Sequence, residues 1–173
     1  MDRIAIIGCG GSGKSTVARQ LGTLLNLPVT HLDAMYYDTA WNPLPQDQFA
    51  ALQHDLVAAD QWIIDGNHAS TLPIRLTRAT TVIFLDLPAR TCLWGIAQRR
   101  LRYRGGQHTN VGVYDRITWG FVRYILGYRR TMRPRIAALI AEHATHASAF
   151  TLSSRRAANE FLRQFYPHTD TLT

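Results

Sequence analysis

A chain of 173 residues, 46% hydrophobic and 18% charged, has the composition of one globular domain with a sizeable core, which excludes wholesale disorder. Its longest apolar runs, such as Val82–Leu85 and Ile136–Ala141, fall far short of the roughly 20 residues of a membrane span. Cys9 and Cys92 can build neither a disulfide framework nor a metal site at their spacing.

The formal charge of +7 is unevenly spread. Residues 99–135 carry ten arginines (Arg99, Arg100, Arg102, Arg104, Arg116, Arg123, Arg129, Arg130, Arg133 and Arg135) against one acid, Asp115. Of the 19 basic residues, Lys14 alone is lysine. A chain that uses arginine everywhere else points to a need for a compact ammonium at that position. The N-terminus opens on a strand-like stretch and not on a secretory signal, so a reducing cytoplasm is the expected location.

In chain order, Arg3–Ile7 reads as a buried strand, followed by a glycine-rich turn and a helix over 14–25. A second strand starts at Pro28 and Val29 and ends near Leu32–Asp33. A polar, aromatic loop follows with Tyr36, Tyr37, Asp38 and Trp41. Phe49, Leu52, Leu56 and Val57 set a helical period over 46–59. Trp62–Asp65 and Thr81–Asp86 read as the third and fourth strands, and Pro88 opens a helix reaching Leu101. Gly105, Gly106 and Gly112 mark a loop at 103–113, after which Ile117, Phe121, Ile125 and then Ile136, Leu139, Ile140 suggest a helical pair. A last strand at 149–152 and a helix at 155–165 close the chain. Strands alternating with helices give an α/β fold with a parallel sheet between helices.

The turn Gly8-Cys9-Gly10-Gly11-Ser12-Gly13-Lys14-Ser15 matches G-x-x-x-x-G-K-[ST] at every position, with a strand before it and a helix after. The glycines allow successive backbone N–H groups to converge on phosphate oxygens at a positive helix end. Gly8, Gly10, Gly11, Ser12, Gly13, Lys14, Ser15 and Thr16 are therefore the expected nucleotide contacts. Lys14 would bridge the β- and γ-phosphates, and Ser15 would place its hydroxyl on Mg²⁺. Cys9 lies in the same turn, where a helix N-terminus can lower a thiol pKa.

With that turn, "HLDAMYY", "WIIDGN", "VIFLDLP" and "RRLRYRG" resemble, over nearly the whole chain, the adenylate-kinase-related P-loop proteins called topology-modulation (FlaR-type) proteins. The resemblance implies one domain with a five-stranded parallel sheet in the order 2-3-1-4-5 and a mobile arginine-rich lid at about 99–130. It also implies ATP and Mg²⁺ as cofactors and kinase chemistry. Asp65, in the "DG" step after the third strand, would correspond to the acid that holds Mg²⁺ through water; Asp86 is the other candidate. Arg99, Arg100 and Arg104 stand where such kinases begin their lid, and positioned guanidiniums stabilise a phosphoryl group in flight. Successive residues on a helix diverge by about 100°, so only some of these can face one ligand, joined by Arg129 or Arg130.

An absence speaks about the acceptor. No lysine or arginine occurs between Arg19 and Arg75. Nucleoside-monophosphate kinases of this type carry a phosphate-clamping arginine there, and proline and arginine after "DG", where this chain has Asn67 and His68. The segment instead carries Asp33, which in hydroxyl-phosphorylating relatives orients or deprotonates the acceptor. Asp33, Tyr36, Tyr37, Asn67 and Arg75 are the expected acceptor-site residues, about the segment 33–60, and His31 or His68 could join them. Three functions compete: a Mg-ATP phosphotransferase with a small, hydroxyl-bearing acceptor; a nucleic-acid-binding protein using the arginine-rich stretch; and a regulatory nucleotide-binding module with feeble hydrolysis.

Overall fold

Apolar runs without polar alternation belong on strands covered on both faces. Three segments satisfy this with nearly unbroken burial: β1 (Arg3–Gly8), β3 (Trp62–Asp65) and β4 (Thr81–Leu85). In a computed structural model that describes residues 1–37, 42–102 and 117–166, these are the central strands of the sheet. The shorter β2 (Val29–His31) and the more exposed β5 (Ser148–Leu152) form its edges. The order is β2-β3-β1-β4-β5 and all pairings are parallel, as the sequence motifs imply. Helices α1 (Lys14–Leu25), α3 (Gln46–Ala58), α5 (Ala89–Arg102) and α7 (Arg155–Arg163) pack around it near their expected positions.

Three parts differ from expectation. Leu32 and Asp33 belong to a one-turn helix, α2 (Leu32–Tyr36), not to the end of the second strand. A second short helix, α4 (Leu72–Leu76), was not foreseen. Five residues are too few to display a 3.6-residue period, so neither turn leaves a pattern to read. The helical pair expected after the loop at 103–113 is one helix, α6 (Trp119–His143), which passes through Pro134 and buries Ile125, Tyr128 and Ile136. Proline removes a backbone donor and disfavours a helix interior, but the apolar face either side of it is continuous and packs on the core. Thr118 caps its start by accepting from the Phe121 amide at 3.2 Å. No helix among the described residues is long and apolar enough to cross a membrane.

The sheet matters for function because it fixes the turn after β1. Register pairs Ile6 with Asp65, so the end of β3 sits beside the phosphate turn. Between β3 and β4 the chain crosses from one side of β1 to the other, and the crevice at the carboxyl ends of such strands is where open α/β sheets bind ligands.

Gly11 and Gly95 show how closely α5 is pressed on that turn. A Cβ at Gly11, whose φ is +76°, would lie 2.1 Å from the Cys92 carbonyl oxygen, and one at Gly95 would lie 2.2 Å from the Gly11 oxygen. Both obstacles are backbone, which cannot swing aside. Gly11→Ala is expected to lower unfolding free energy by at least about 1–3 kcal/mol, the cost of a strained left-handed residue before any movement of α5. Urea titration checks this; a midpoint equal to that of the parent would show that the turn and helix are not in fixed contact.

Candidate active site

The turn after β1 leads into α1 through Gly13, at φ 95° in the left-handed region. The Lys14 side chain, only 8% exposed in total, donates from Nζ across the turn to the Cys9 carbonyl at 3.3 Å. Ser15 Oγ donates to Asp65 Oδ2 at 2.7 Å. The other Asp65 oxygen, Oδ1, meets His31 Nδ1 in a short contact. Asp65 is thus brought from 50 residues away to the hydroxyl that follows the lysine. Its neighbour Gly66 makes room for Leu32: a Cβ there would sit 2.8 Å from the Leu32 Cβ.

Asp86, the rival acid, is occupied elsewhere. It is buried, and Arg133 Nε donates to its Oδ2 at 2.7 Å, with Arg129 Nη2 at 3.5 Å. This ties α6 to the end of β4. Arg129, named above as a candidate phosphate contact, therefore has a structural partner.

A cleft of about 1270 Å³ opens over the turn. Residues 10–17 form its floor, and Asp33, Tyr37, Asn67 and His68 line one side. Trp94, Gln98, Arg99 and Arg102 of α5, Phe121 and Tyr124 of α6, and Arg155 and Asn159 of α7 complete it. The Phe121 ring rests on Gly10, whose added Cβ would come within 2.5 Å of its Cζ.

At the Asp33 side, His68 Nε2 lies 3.0 Å from Asp33 Oδ1. Partial shielding from water opposes ionisation of Asp33. The His68 hydrogen bond and the charges of Lys14 and Arg99 outweigh it, so the carboxyl titrates below the ordinary aspartate range. Asn67 donates from Nδ2 to Tyr124 Oη at 2.6 Å and accepts from Tyr128 Oη at 3.3 Å. Its side-chain amide anchors α6, and the residue borders the cleft. Burial pushes both tyrosine hydroxyls above their usual range, so they remain neutral, Tyr124 accepting from Asn67 and Tyr128 donating to it.

Several expected site residues stand elsewhere. Arg75 does not line the cleft; it is 1% exposed beneath it, with Nη2 donating to the Asn67 carbonyl at 3.4 Å. Burial lowers its pKa to about 10 despite the attraction of Asp65 and Asp33. The guanidinium thus sits beneath the loop and outside the cleft, away from the acceptor side where the sequence motifs suggest it. Tyr36 also leaves the cleft, packing against Tyr37 and Phe49 at centroid distances of 4.8 and 4.7 Å. Arg100 points to solvent on the outer face of α5, while Arg99 one residue earlier lines the cleft, as the 100° rule requires. Arg104, Trp41, Asp38 and the loop at 103–113 lie outside the described residues. The Cys9 thiol is raised, not lowered: its hydrogen bond with Cys92 and its burial outweigh the positive surroundings.

Sequence reasoning did not find Arg155, Asn159, Trp94 or Phe121. Each stands on an ordinary helix with no motif around it, and only the packing of α5, α6 and α7 over the turn brings them together.

No protein-family model matches the chain, and no curated protein matches it in sequence. Among solved structures it is similar to a shikimate kinase from Acinetobacter baumannii in complex with shikimate, with TM-score 0.56, 17% identity, and 95% of this chain and 90% of that one covered. A sugar kinase from Janibacter sp. gives 0.57 and 16%, covering 93% and 90% of the two chains. A shikimate kinase from Bacteroides thetaiotaomicron gives 0.54 and 16%, covering 94% and 95%. With the strand order and the phosphate turn, these similarities show that the chain has the P-loop kinase fold.

Proposed function

We propose that this protein is an ATP-dependent phosphotransferase acting on a hydroxyl group of a small acceptor that bears neither phosphate nor carboxylate. One observation carries the reading: a single cleft holds the Lys14–Ser15 phosphate turn on its floor and the Asp33 carboxylate on its wall. The described basic residues that line the cleft are Lys14 and Arg19 on α1, Arg99 and Arg102 on α5, and Arg155 on α7. None comes from the segment carrying Asp33, Tyr37, Asn67 and His68, and Arg75 is withdrawn into the core. The wall that carries Asp33 thus offers a second anionic group on the acceptor no lysine or arginine of its own.

The Ser15 hydroxyl and the Asp65 carboxylate fit Mg²⁺: they are hard oxygen donors held 2.7 Å apart beside the phosphate turn. Such a site needs few protein ligands, because phosphate and water complete it. Mg²⁺ supplies charge neutralisation on the nucleotide when bound. Lys14 and the turn amides hold the phosphates, Arg99 offers positive charge to the transferring group, and Asp33 receives the acceptor hydroxyl. We assign the whole chain to one domain with a lid at about 99–130. Kinship with the topology-modulation proteins rests on the sequence motifs listed above. The kinase fold of the solved neighbours agrees with the phosphotransferase chemistry, and the pairing of Arg129 and Arg133 with Asp86 weakens a nucleic-acid reading of the arginine-rich stretch.

An ATP-consumption screen with nucleosides, nucleoside monophosphates, sugars and amino-alcohols, with products identified by mass, tests the proposal. A stoichiometric phosphorylated product from an uncharged or amine-bearing hydroxyl compound is the expected result. Preference for monophosphates would overturn the acceptor class. ATP binding with no phosphorylated product from any class would overturn the phosphotransferase.

A further inference from the structure

Two neighbouring segments exchange histidine–aspartate pairs at the cleft. From β2 and α2 come His31 and Asp33; from the end of β3 and the loop after it come Asp65 and His68. His31 pairs with Asp65, and His68 pairs with Asp33. The two pairs serve different ends. Asp65 lies against the phosphate turn, whereas Asp33 faces open cleft with 52% of its side chain exposed, against 15% for His68.

The His68 ring has little freedom. It meets Tyr36 at a centroid distance of 4.7 Å and 61°, and Phe49 at 4.8 Å and 62°. Tyr36 and Phe49 themselves touch at 4.7 Å, and Phe49 is fully buried. An imidazole wedged against two rings has its χ angles set by packing, so the direction of Nε2 is set before any ligand arrives. Tyr36, which does not reach the cleft, thereby acquires a role one step behind it.

We propose that His68 is a positioning residue for phosphoryl transfer: held edgewise by Tyr36 and Phe49, it donates from Nε2 to Asp33 Oδ1 and aims that carboxylate at the acceptor hydroxyl. This rests on the reading of Asp33 as the acceptor acid. In the step itself the hydroxyl proton passes to Asp33, the acceptor oxygen bonds to the γ-phosphorus, and the bond from that phosphorus to the β-bridging oxygen breaks to release ADP. Phosphoryl transfer through a loose transition state asks for orientation of the nucleophile more than for a strong base. A carboxylate that is weakened as a base and fixed in direction suits that demand. Among the described residues, the charged and titratable groups coupled electrostatically to Asp33 include Lys14 from α1, His68 from the loop after β3, the buried Arg75 from α4, Arg99 from α5 and Tyr124 from α6. Of these, His68 is the hydrogen-bonded partner.

The test compares His68→Phe, which fills the slot between the two rings without a donor, with His68→Gln, which returns an amide N–H near the place of Nε2. Carbon-13 NMR titration of the Asp33 carboxyl is expected to show its midpoint rising by about one pH unit in His68→Phe and falling back in His68→Gln. With the best acceptor from the ATP screen, kcat should fall about tenfold in His68→Phe with Mg-ADP affinity unchanged, and His68→Gln should recover most of it. An Asp33 midpoint equal in wild type and His68→Phe, or equal loss of kcat in both variants, would overturn the proposal. If His68→Phe does not fold, His68→Asn, whose amide falls near Nδ1 instead, takes its place with the same expected loss. Asp33→Asn separates the two levels. Turnover equal to wild type in that variant removes the reading of Asp33 and the proposal with it; loss of turnover there with an unaltered His68→Phe removes the positioning role alone.

Discussion

Replacing Lys14 by alanine is expected to lower Mg-ATP-dependent turnover by about 100- to 1,000-fold, the range for removing one preorganised charge or donor from a developing oxyanion. The ammonium is nearly buried within the turn, and its stem follows a left-handed glycine that starts α1. Lys14→Arg should fare little better. A planar guanidinium cannot occupy the space of a point charge that already contacts the Cys9 carbonyl at 3.3 Å. Steady-state rates together with calorimetric Mg-ATP binding check both variants. Wild-type turnover in Lys14→Arg would mean that charge alone, and not its compact geometry, is what this position supplies.

Asp33→Asn is expected to reduce kcat by about 100-fold or more while leaving the KM for Mg-ATP near its wild-type value, since the residue faces the acceptor side of the cleft. The pH dependence has a definite sign. The Asp33 carboxyl titrates below its usual value of 3.8, so it stays ionised throughout the neutral and mildly acidic range. Turnover that depends on the carboxylate is present above that lowered pKa and is lost as pH falls through it. The acidic limb of kcat should therefore lie below the ordinary aspartate midpoint in wild type and vanish from the residual activity of Asp33→Asn. An acidic limb that persists unmoved in the variant would assign it to another group.

Much of the framework is written locally. The phosphate turn is legible because eight consecutive residues must satisfy one backbone shape and one ligand charge, and the lone lysine marks its position in the composition. The central strands are legible because burial on both faces leaves no polar residue to interrupt them. Helix α1 starts at Lys14 as expected, and the left-handed Asn26 that follows Leu25 ends it. Where the pattern was shorter than a helical turn or two, as in α2 and α4, the chain carried too few residues to show a period. Where Pro134 interrupted α6, a local rule was overridden by a continuous apolar face.

By itself, then, the sequence determined the five strands in chain order, the helices α1, α3, α5 and α7, the phosphate turn and the absence of basic residues from the segment carrying Asp33. These depend on neighbours in the chain or on composition. The tertiary structure alone decided which charges meet. His68 reaches Asp33 across 35 positions, Asp65 reaches Ser15 across 50, and Arg133 takes Asp86 across 47. It also decided that Arg75 is withdrawn into the core while Arg155 faces the cleft. The reason is physical: a side chain's charge is encoded in its residue type, but its partner, its exposure and hence its pKa are set by which distant elements the sheet brings alongside it.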